Sequence, residues 1–192
     1  VGYEVVSDSV FSKISDTCTP QGVLFVLKQF HYNIEEMLRD KAPLFLLLEN
    51  IQDPGNLGTM LRTGEGAGVS GIIMSRDTVD LYNPKVIRST MGSIYRVPFY
   101  YADDFAAAVH QVQQAGVSVY AAHLRGKNSY ACQDYTKGTA FLIGNEGNGL
   151  REETAELADC YIRIPMEGKV ESLNAAVASS ILMYEAHRQR AI

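Results

Sequence analysis

The stretch NIQDPGNLGTMLRT, residues 50–63, follows the apolar run LFLLLE (44–49) and leads into a segment rich in glycine and alanine. The triplet Asp53-Pro54-Gly55 is a turn signal, because proline suits the second position of a β-turn. Asn56 is a good residue for the N-terminal cap of a helix. The sequence therefore predicts a buried strand over 44–49 that turns directly into a helix over 56–67, and this is how an α/β fold begins.

The rest of the chain continues this alternation of apolar strands with helices. Further strands are predicted at 71–74, 117–121, 139–143 and 160–164, and further helices at 83–91, 103–115, 150–158 and 172–190. Such alternation is typical of an α/β fold with a mostly parallel sheet and helices on both faces.

Two of the helices are amphipathic. Helix 103–115 places Phe105, Val109 and Val112 on one face and His110 at the surface. None of the four histidines has the spacing of a metal site or a catalytic triad. Helix 172–190 has Ser172 as its predicted N-terminal cap. Its predicted apolar face consists of Leu173, Ala176, Val177, Ser180, Ile181 and Tyr184.

Residues 1–30 differ from this regular pattern. We expect a short helix in VSDSVFSKISD (6–16), a turn in CTPQG (18–22) and a short strand in VLFVL (23–27). The polar stretch 31–42 is predicted to be a linker or a linker helix, so the main domain is predicted to span 43–192.

Composition narrows the class of protein. The formal net charge of −5 counts against a dedicated nucleic-acid binder, although it leaves room for a local basic patch. No apolar run reaches the roughly 20 residues of a membrane span. The three cysteines form no CxxC pair, so the sequence predicts neither disulfides nor a metal site. We therefore expect a cytoplasmic protein.

Two more strand ends carry unusual residues. FLIGNEGNGL (141–150) has three glycines in six residues, which let a ligand approach the backbone. It lacks the GK[ST] ending of a P-loop and contains Glu146 instead. IPMEGKVESLN (164–174) leads into the C-terminal helix with polar residues that can reach a ligand. Each loop alone is also explained as an ordinary connection between a strand and a helix.

Taken together, these segments resemble the three motifs of the SpoU (TrmH-like) RNA ribose 2′-O-methyltransferases of the SPOUT superfamily. The matching pieces are DPGNLGTMLRT (53–63), FLIGNEGNGL (141–150) and IPMEGKVESLNAAVA (164–178), in the family's order. NPKVIRSTMGSIYRVPF (83–99) is similar to the family's middle segment. The resemblance implies a C-terminal deep trefoil knot, S-adenosylmethionine as methyl donor, and a homodimer whose active site uses both subunits.

The resemblance also implies roles for individual residues. The catalytic residues would be Asn56, Arg62, Glu146, Ser172 and Asn174. The cofactor-binding residues would be Gly144, Ile164, Met166, Leu173 and Asn174. Residues 1–30 resemble the end of an upstream RNA substrate-binding domain, which favours ribosomal RNA over transfer RNA as substrate.

Methyl transfer to a ribose hydroxyl requires alignment of the oxygen with the methyl carbon, removal of a proton and stabilisation of the oxyanion. We expect Arg62 to orient phosphate and stabilise the oxyanion, because a guanidinium is a poor base and its fork of donors suits an anion. A phosphate oxygen, Glu146 or water would take the proton. We also expect Gly144→Val to abolish cofactor binding with little loss of folding.

RNA binding would need a basic surface. Seven cations lie in or near the predicted loops and helix starts: Arg76, Lys85, Arg88, Arg125, Lys127, Arg151 and Lys169. Three alternatives to this function are considered, and the sequence argues against the last of them. A transfer-RNA methyltransferase and a non-catalytic RNA-binding relative share the motifs, whereas a Rossmann oxidoreductase requires GxGxxG after the first strand and finds DPGNLG there.

Overall fold

The computed structural model describes residues 2–15, 17–170 and 172–191. The chain divides into two compact units, Val1–Phe30 and His31–Ile192. Within the described ranges, every helix is too short or too polar to traverse a lipid bilayer.

Among its described residues, the first unit has one helix, α1 (Asp8–Ile14), as the sequence predicts. The predicted strand at 23–27 is wrong, because this segment has no regular secondary structure. Its five apolar side chains are all exposed, from 45% for Leu24 to 90% for Val26. A strand needs a hydrogen-bonded neighbour, and no strand pairs with this segment in the described part of the chain.

The second unit contains a seven-stranded sheet. Its strands are β1 (Leu44–Leu48), β2 (Gly71–Ser75), β3 (Phe99–Ala102), β4 (Ser118–Ala122), β5 (Asn128–Ser129), β6 (Thr139–Ile143) and β7 (Cys160–Arg163). Its helices are α2 (Ile34–Met37), α3 (Pro54–Ala67), α4 (Pro84–Thr90), α5 (Phe105–Gln114), α6 (Glu152–Ala155) and α7 (Ala175–Arg190). Two 3₁₀ turns lie at Ser93–Tyr95 and Tyr130–Cys132.

All strand pairs in this sheet are parallel, in the order β3-β2-β1-β6-β4-β7-β5. Every residue of β1, β2 and β6 is buried, which explains why these strands are apolar apart from Ser75 and Thr139 at their ends. The predicted α/β fold with a parallel sheet is confirmed. Because β6 lies between β1 and β4, the loops that follow these three strands emerge side by side.

Two helices begin at residues other than those predicted. In α3 the cap is Asp53, whose Oδ1 accepts the Asn56 N–H at 2.7 Å, while Pro54 takes the first helical position. In α7 the cap is Asn174, whose Oδ1 accepts N–H groups of the first turn at 2.9 and 3.2 Å. Asn56 and Ser172 are therefore not caps, and the prediction that they are is wrong.

Of the predicted apolar face of α7, only Ala176 is buried, and the buried face lies elsewhere on the helix. The buried residues of this helix are Ala175, Ala176, Ser179, Leu182, Met183 and Ala186. Val177 and Tyr184, which the prediction turned inward, are 48% and 50% exposed. Four of the six buried residues are alanine or serine, whose small side chains allow close packing. Alanine and serine also occur on the other faces of α7, so the positions of the larger apolar residues did not predict which face is buried.

The stretch 31–42, predicted as a linker, contributes to the core of the second unit. Its helix α2 buries Ile34 and Met37 beside Phe45 and Leu47 of β1. The same core cluster holds Val109 and Val112 of α5, with Phe105 packed against it, as predicted. His110 is exposed on the same helix.

Candidate functional site

A cavity of about 270 Å³ opens where β4, β6 and β7 end. Ligands of parallel α/β sheets bind outside these carboxyl ends of strands. Three segments form the wall, namely the end of β4, the glycine-rich loop after β6, and the segment that joins β7 to α7. The lining residues are 122–124, 143–150, Ile162, Arg163, Ile164, Met166, Ser172, Leu173, Ala175 and Ala178.

The glycine-rich loop is a tight turn that closes on itself. Asn145 and Gly149 exchange two backbone hydrogen bonds, at 3.0 and 2.9 Å. The Asn145 side chain accepts the N–H groups of Gly147 and Asn148, both at 3.0 Å, and donates to the Asn50 carbonyl at 2.8 Å. Gly149 has φ +70°, a left-handed conformation that favours glycine. The loop is thereby fixed without help from a ligand.

Gly144 serves this turn directly. A Cβ at this position would lie 2.2 Å from the Gly149 carbonyl carbon and the Leu150 nitrogen. A side chain there would force the returning strand of the loop to move. The expectation that Gly144→Val causes little loss of folding therefore does not hold for this geometry, whereas the expected loss of cofactor binding stays a prediction.

Glu146 lines the cavity, and its carboxylate binds the N-terminal end of α3. Oε1 accepts the Asp53 N–H at 3.0 Å and the Asn56 Nδ2 at 3.1 Å, and Oε2 accepts the Gln52 N–H at 3.1 Å. Asn56 in turn accepts a bond from Asn174 Nδ2 at 2.9 Å through its Oδ1. One polar residue from each of the three motif segments thus joins a single chain, Glu146–Asn56–Asn174.

The electrostatics of Glu146 follow from these bonds. Burial of the carboxylate opposes ionisation, but the hydrogen bonds from Asp53, Asn56 and Gln52 outweigh it and lower the pKa of Glu146 below its ordinary value. A carboxylate with a low pKa and three donors already bound is poorly suited to accept a substrate proton. Of the three proton acceptors considered, the geometry favours a phosphate oxygen or water over Glu146.

Arg62 lies on the exposed side of α3, outside the lining of the cavity. Its position is roughly 9 Å along the helix axis from Asn56. It has no hydrogen bond or ion pair with any residue that the structure describes. Its guanidinium is therefore available to another molecule, in contrast to Glu146, Asn56 and Asn174.

The predicted cofactor residues fall into two groups. Gly144, Ile164, Met166 and Leu173 line the cavity, whereas Asn174 caps α7 beside it. Ser172, predicted as catalytic, is an exposed residue of the wall.

Sequence reasoning missed the wall that comes from β4. Ala122, His123 and Leu124 follow that strand directly and line the cavity. The strand-end rule that identified the other two walls applies equally to this position, but the residues carry no recognisable motif.

A buried acid that was also missed fixes the exit of the glycine-rich loop. Glu49, 1% exposed, follows β1 and accepts the Arg151 N–H at 2.8 Å and the Thr154 hydroxyl at 2.5 Å. Arg151 has no side-chain cap of its own for α6, and Glu49 holds the start of this helix from another strand through the Arg151 N–H and the Thr154 hydroxyl. The Arg151 guanidinium also pairs with Glu49, at 3.5 Å, and with Asp77.

The predicted basic patch is partly neutralised. Arg76 pairs with Asp103 and Arg125 with Glu152, each at 2.5 Å, and Arg151 is paired as described. The carboxylate partners of these three arginines reduce the net positive charge that the patch offers to RNA.

Comparison with known proteins agrees with this architecture. The family model of the SpoU rRNA Methylase family matches residues 43–184. The 23S rRNA (guanosine(2553)-2′-O)-methyltransferase RlmP of Bacillus subtilis (strain 168) is 35% identical over 180 residues, which cover 94% of this chain and 70% of that protein.

Solved structures are similar as well. The AdoMet-bound rRNA methyltransferase from Sinorhizobium meliloti is 36% identical with a TM-score of 0.86, covering 95% of this chain and 70% of that one. The SpoU methyltransferase AviRb from Streptomyces viridochromogenes, in complex with AdoMet, is 31% identical with a TM-score of 0.77, covering 83% and 62%. The all-parallel sheet, the three motif segments around one cavity and these similarities lead to one conclusion: the chain belongs to the SpoU rRNA methylase family.

Proposed function

We propose that this chain transfers a methyl group from S-adenosylmethionine to a ribose 2′-hydroxyl of RNA, with ribosomal RNA as the substrate. The observation that supports this most is the Glu146–Asn56–Asn174 chain, which ties all three motif segments together beside one cavity. The ribosomal substrates named for RlmP and the Sinorhizobium meliloti protein favour ribosomal over transfer RNA.

The cavity suits S-adenosylmethionine. Leu124, Ile143, Leu150, Ile162 and Leu173 offer apolar surface for an adenine ring, and the glycine-rich loop offers backbone groups. Glu146, which its hydrogen bonds keep ionised, adds negative charge to the wall that favours a cationic ligand. When bound, the cofactor supplies the methyl group and a positively charged sulfonium.

Each residue then has a role. The Glu146–Asn56–Asn174 chain positions the N-terminal ends of α3 and α7 against the glycine-rich loop. Gly144, Ile164, Met166 and Leu173 hold the cofactor, and Ser172 contacts the substrate at the exposed edge of the wall. Arg62 orients an RNA phosphate and stabilises the developing alkoxide, since its rigid fork of donors suits both tasks. A phosphate oxygen or water accepts the proton.

A homodimer brings Arg62 to the cavity of the partner subunit in this proposal. Arg62 lies outside the cavity of its own chain, and the neighbouring surface of α7 exposes Val177 and Tyr184. α3 and α7 pack side by side, with Ser180 Oγ 3.4 Å from Thr63 Oγ1. A Cβ on Gly66 would lie 3.0 Å from the Tyr184 hydroxyl, so the exposed tyrosine borders the helix face that carries Arg62. An exposed apolar patch beside an unpaired arginine fits a second copy of this chain.

Three further features belong to the proposal. The segment between β7 and α7 threads through a loop as a deep trefoil knot. Residues 1–30 are part of an RNA substrate-binding domain, distinct from the catalytic domain 43–192. The protein acts in the cytoplasm, where its ribosomal substrate is available.

Transfer of tritium from methyl-labelled S-adenosylmethionine tests the proposed function. Ribosomal RNA and transfer RNA from cells that lack the protein are offered separately. We expect label in ribosomal RNA, at a linkage that resists alkaline cleavage because its 2′-oxygen is methylated. Label in transfer RNA alone would show that transfer RNA, and not ribosomal RNA, is the substrate. Label on a base, or no label in either RNA, would overturn the proposal.

A further inference from the structure

His123 is the first residue after β4 and lines the cavity. Among the described residues of the wall, it carries the only aromatic ring. Its backbone N–H donates to the Ile162 carbonyl at 3.0 Å, which ties the end of β4 to β7. The ring packs against Tyr161, with centroids 5.0 Å apart and planes 31° apart. Its place in the wall is therefore fixed from two sides.

The protonation state of His123 follows from one hydrogen bond. The backbone N–H of Arg125 donates to Nδ1 at 3.1 Å. A backbone amide can only donate, so Nδ1 is an acceptor and the proton of the neutral ring lies on Nε2. Protonation of the ring would place a hydrogen on Nδ1 and break this bond.

The ionisable groups around the His123 ring come from three elements. The Arg125 side chain belongs to the loop after β4 and pairs with Glu152 of α6 at 2.5 Å, and Tyr161 belongs to β7. Burial of the ring and the Arg125 charge lower the pKa of His123, and Glu152 opposes them only in part. Glu146 and Arg163 are the other ionisable residues of the wall.

We propose that His123 contacts the bound cofactor as a neutral ring with an Nε2–H donor, and that it discriminates between S-adenosylmethionine and S-adenosylhomocysteine according to its charge. This inference rests on the proposed function. The sulfonium of the methyl donor carries a positive charge that the product has lost. An imidazolium in the wall repels that charge, so acidification weakens binding of the donor more than binding of the product.

Calorimetric titration of the full chain with each compound, at about pH 7 and about pH 5, tests the inference. The α-amino group of both compounds remains protonated across this range. We expect the affinity for S-adenosylmethionine to fall by about 3-fold to 25-fold, where the upper limit corresponds to an ordinary histidine pKa of about 6.5. The affinity for S-adenosylhomocysteine should fall less.

Two variants and a control sharpen the test. His123→Gln keeps an uncharged N–H donor, so its affinity at pH 7 should stay within about 3-fold and lose its pH dependence. His123→Ala should bind about 10-fold more weakly at pH 7, as expected for loss of one hydrogen bond. His110→Gln alters an exposed histidine of α5 outside the cavity wall and should behave as wild type.

Proton NMR of the histidine rings gives a second readout that does not depend on folding of a variant. Binding of S-adenosylmethionine should lower the pKa of His123, and the ring signals of His110, which lies outside the wall, serve as the internal control. A pH dependence that survives in His123→Gln, or equal pH effects on donor and product, would overturn the inference alone. If the wild type binds neither compound at pH 7, the proposed function falls and the inference with it.

Discussion

The polar residues of the cavity wall and the exposed face of α3 and α7 are organised in opposite ways. Glu146 of the wall accepts a hydrogen bond from Asn56 at 3.1 Å, and Asn56 accepts one from Asn174, beside the cavity, at 2.9 Å. On the exposed face, Arg62 has no polar partner among the described residues, and Val177 is 48% exposed. The wall is preorganised by the chain itself, whereas the exposed face is suited to contact with another molecule.

In the proposed function, this difference assigns two tasks to two regions: the wall binds the cofactor, and Arg62 on the exposed face contacts the RNA. The motifs alone do not distinguish these tasks. A wall whose donors and acceptors are already oriented costs little rearrangement when a ligand binds. An unpaired guanidinium retains its donors for phosphate or a developing oxyanion. We therefore expect changes in the wall to alter cofactor affinity and stability, and changes at Arg62 to alter turnover.

The largest effect is expected at Arg62. Arg62→Ala should lower kcat by about 10²-fold to 10³-fold, the usual cost of removing one oxyanion donor. Arg62→Lys should recover little of this loss, because it retains the charge but not the fork. Radiometric methyl transfer measures turnover, and calorimetry should show unchanged affinity for S-adenosylmethionine. Arg39→Ala, at another exposed arginine, is the matched control. Near-normal turnover by Arg62→Lys would reject the role.

The next effect is expected at Glu146. Glu146→Gln replaces one acceptor oxygen by a donor, so at least one of the N–H groups of Gln52, Asp53 and Asn56 loses its partner. We expect a loss of about 1–3 kcal/mol in the free energy of unfolding and weaker cofactor binding, with kcat at saturation less affected. Denaturant titration and calorimetry measure the two quantities. Unchanged cofactor affinity would show that the wall does not depend on this carboxylate.

A smaller effect is expected at Asn174. Asn174→Ala removes the cap of α7 and the bond to Asn56 Oδ1, and should cost about 0.5–2 kcal/mol of stability. Asn174→Asp keeps the cap but cannot donate to Asn56. Comparison of the two variants by denaturant titration separates the cap from the link between motifs, and equal stability of Asn174→Asp and wild type would show that the link contributes nothing.

The smallest effect is the pH dependence that Glu146 confers. Its pKa is lower in the folded chain than the ordinary glutamate value of 4.5, so its contribution to stability is complete above that value and disappears as pH falls through the folded pKa. The stability difference between wild type and Glu146→Gln should therefore shrink between about pH 6 and pH 3. Denaturant titrations across this range measure it, and a difference that does not change with pH would contradict the assignment of the shift to this residue.

The apolar runs were sufficient to predict the parallel sheet. β1, β2 and β6 are buried along their whole length, and their residues are apolar or glycine except Ser75 and Thr139 at two strand ends. β3 and β5 were missed because they lie at the two edges of the sheet. β3 is only half buried and β5 has two residues, so neither needs a continuous apolar sequence.

The details of the site were harder to predict. Asp53 and Asn56 are both capable caps, and the choice depends on Pro54 occupying the first helical position. Sequence placed Glu146 near a ligand but did not show that its oxygens are bound to the start of α3. Glu49 and His123 belong to no motif. Glu49 contacts Arg151, which is 102 positions later in the chain, and His123 contacts Tyr161, which is 38 positions later, so neither role could be predicted from the sequence.

A mixed dimer tests most directly whether the wall of one copy works with Arg62 of another. One chain carries Arg62→Ala, and the other carries Met166→Trp to obstruct the cavity; heterodimers are purified through two different tags. Each parent homodimer should be inactive. The heterodimer should recover about half of wild-type methyl transfer, because one of its two sites combines an intact wall with an intact arginine. A heterodimer as inactive as its parents would contradict the account.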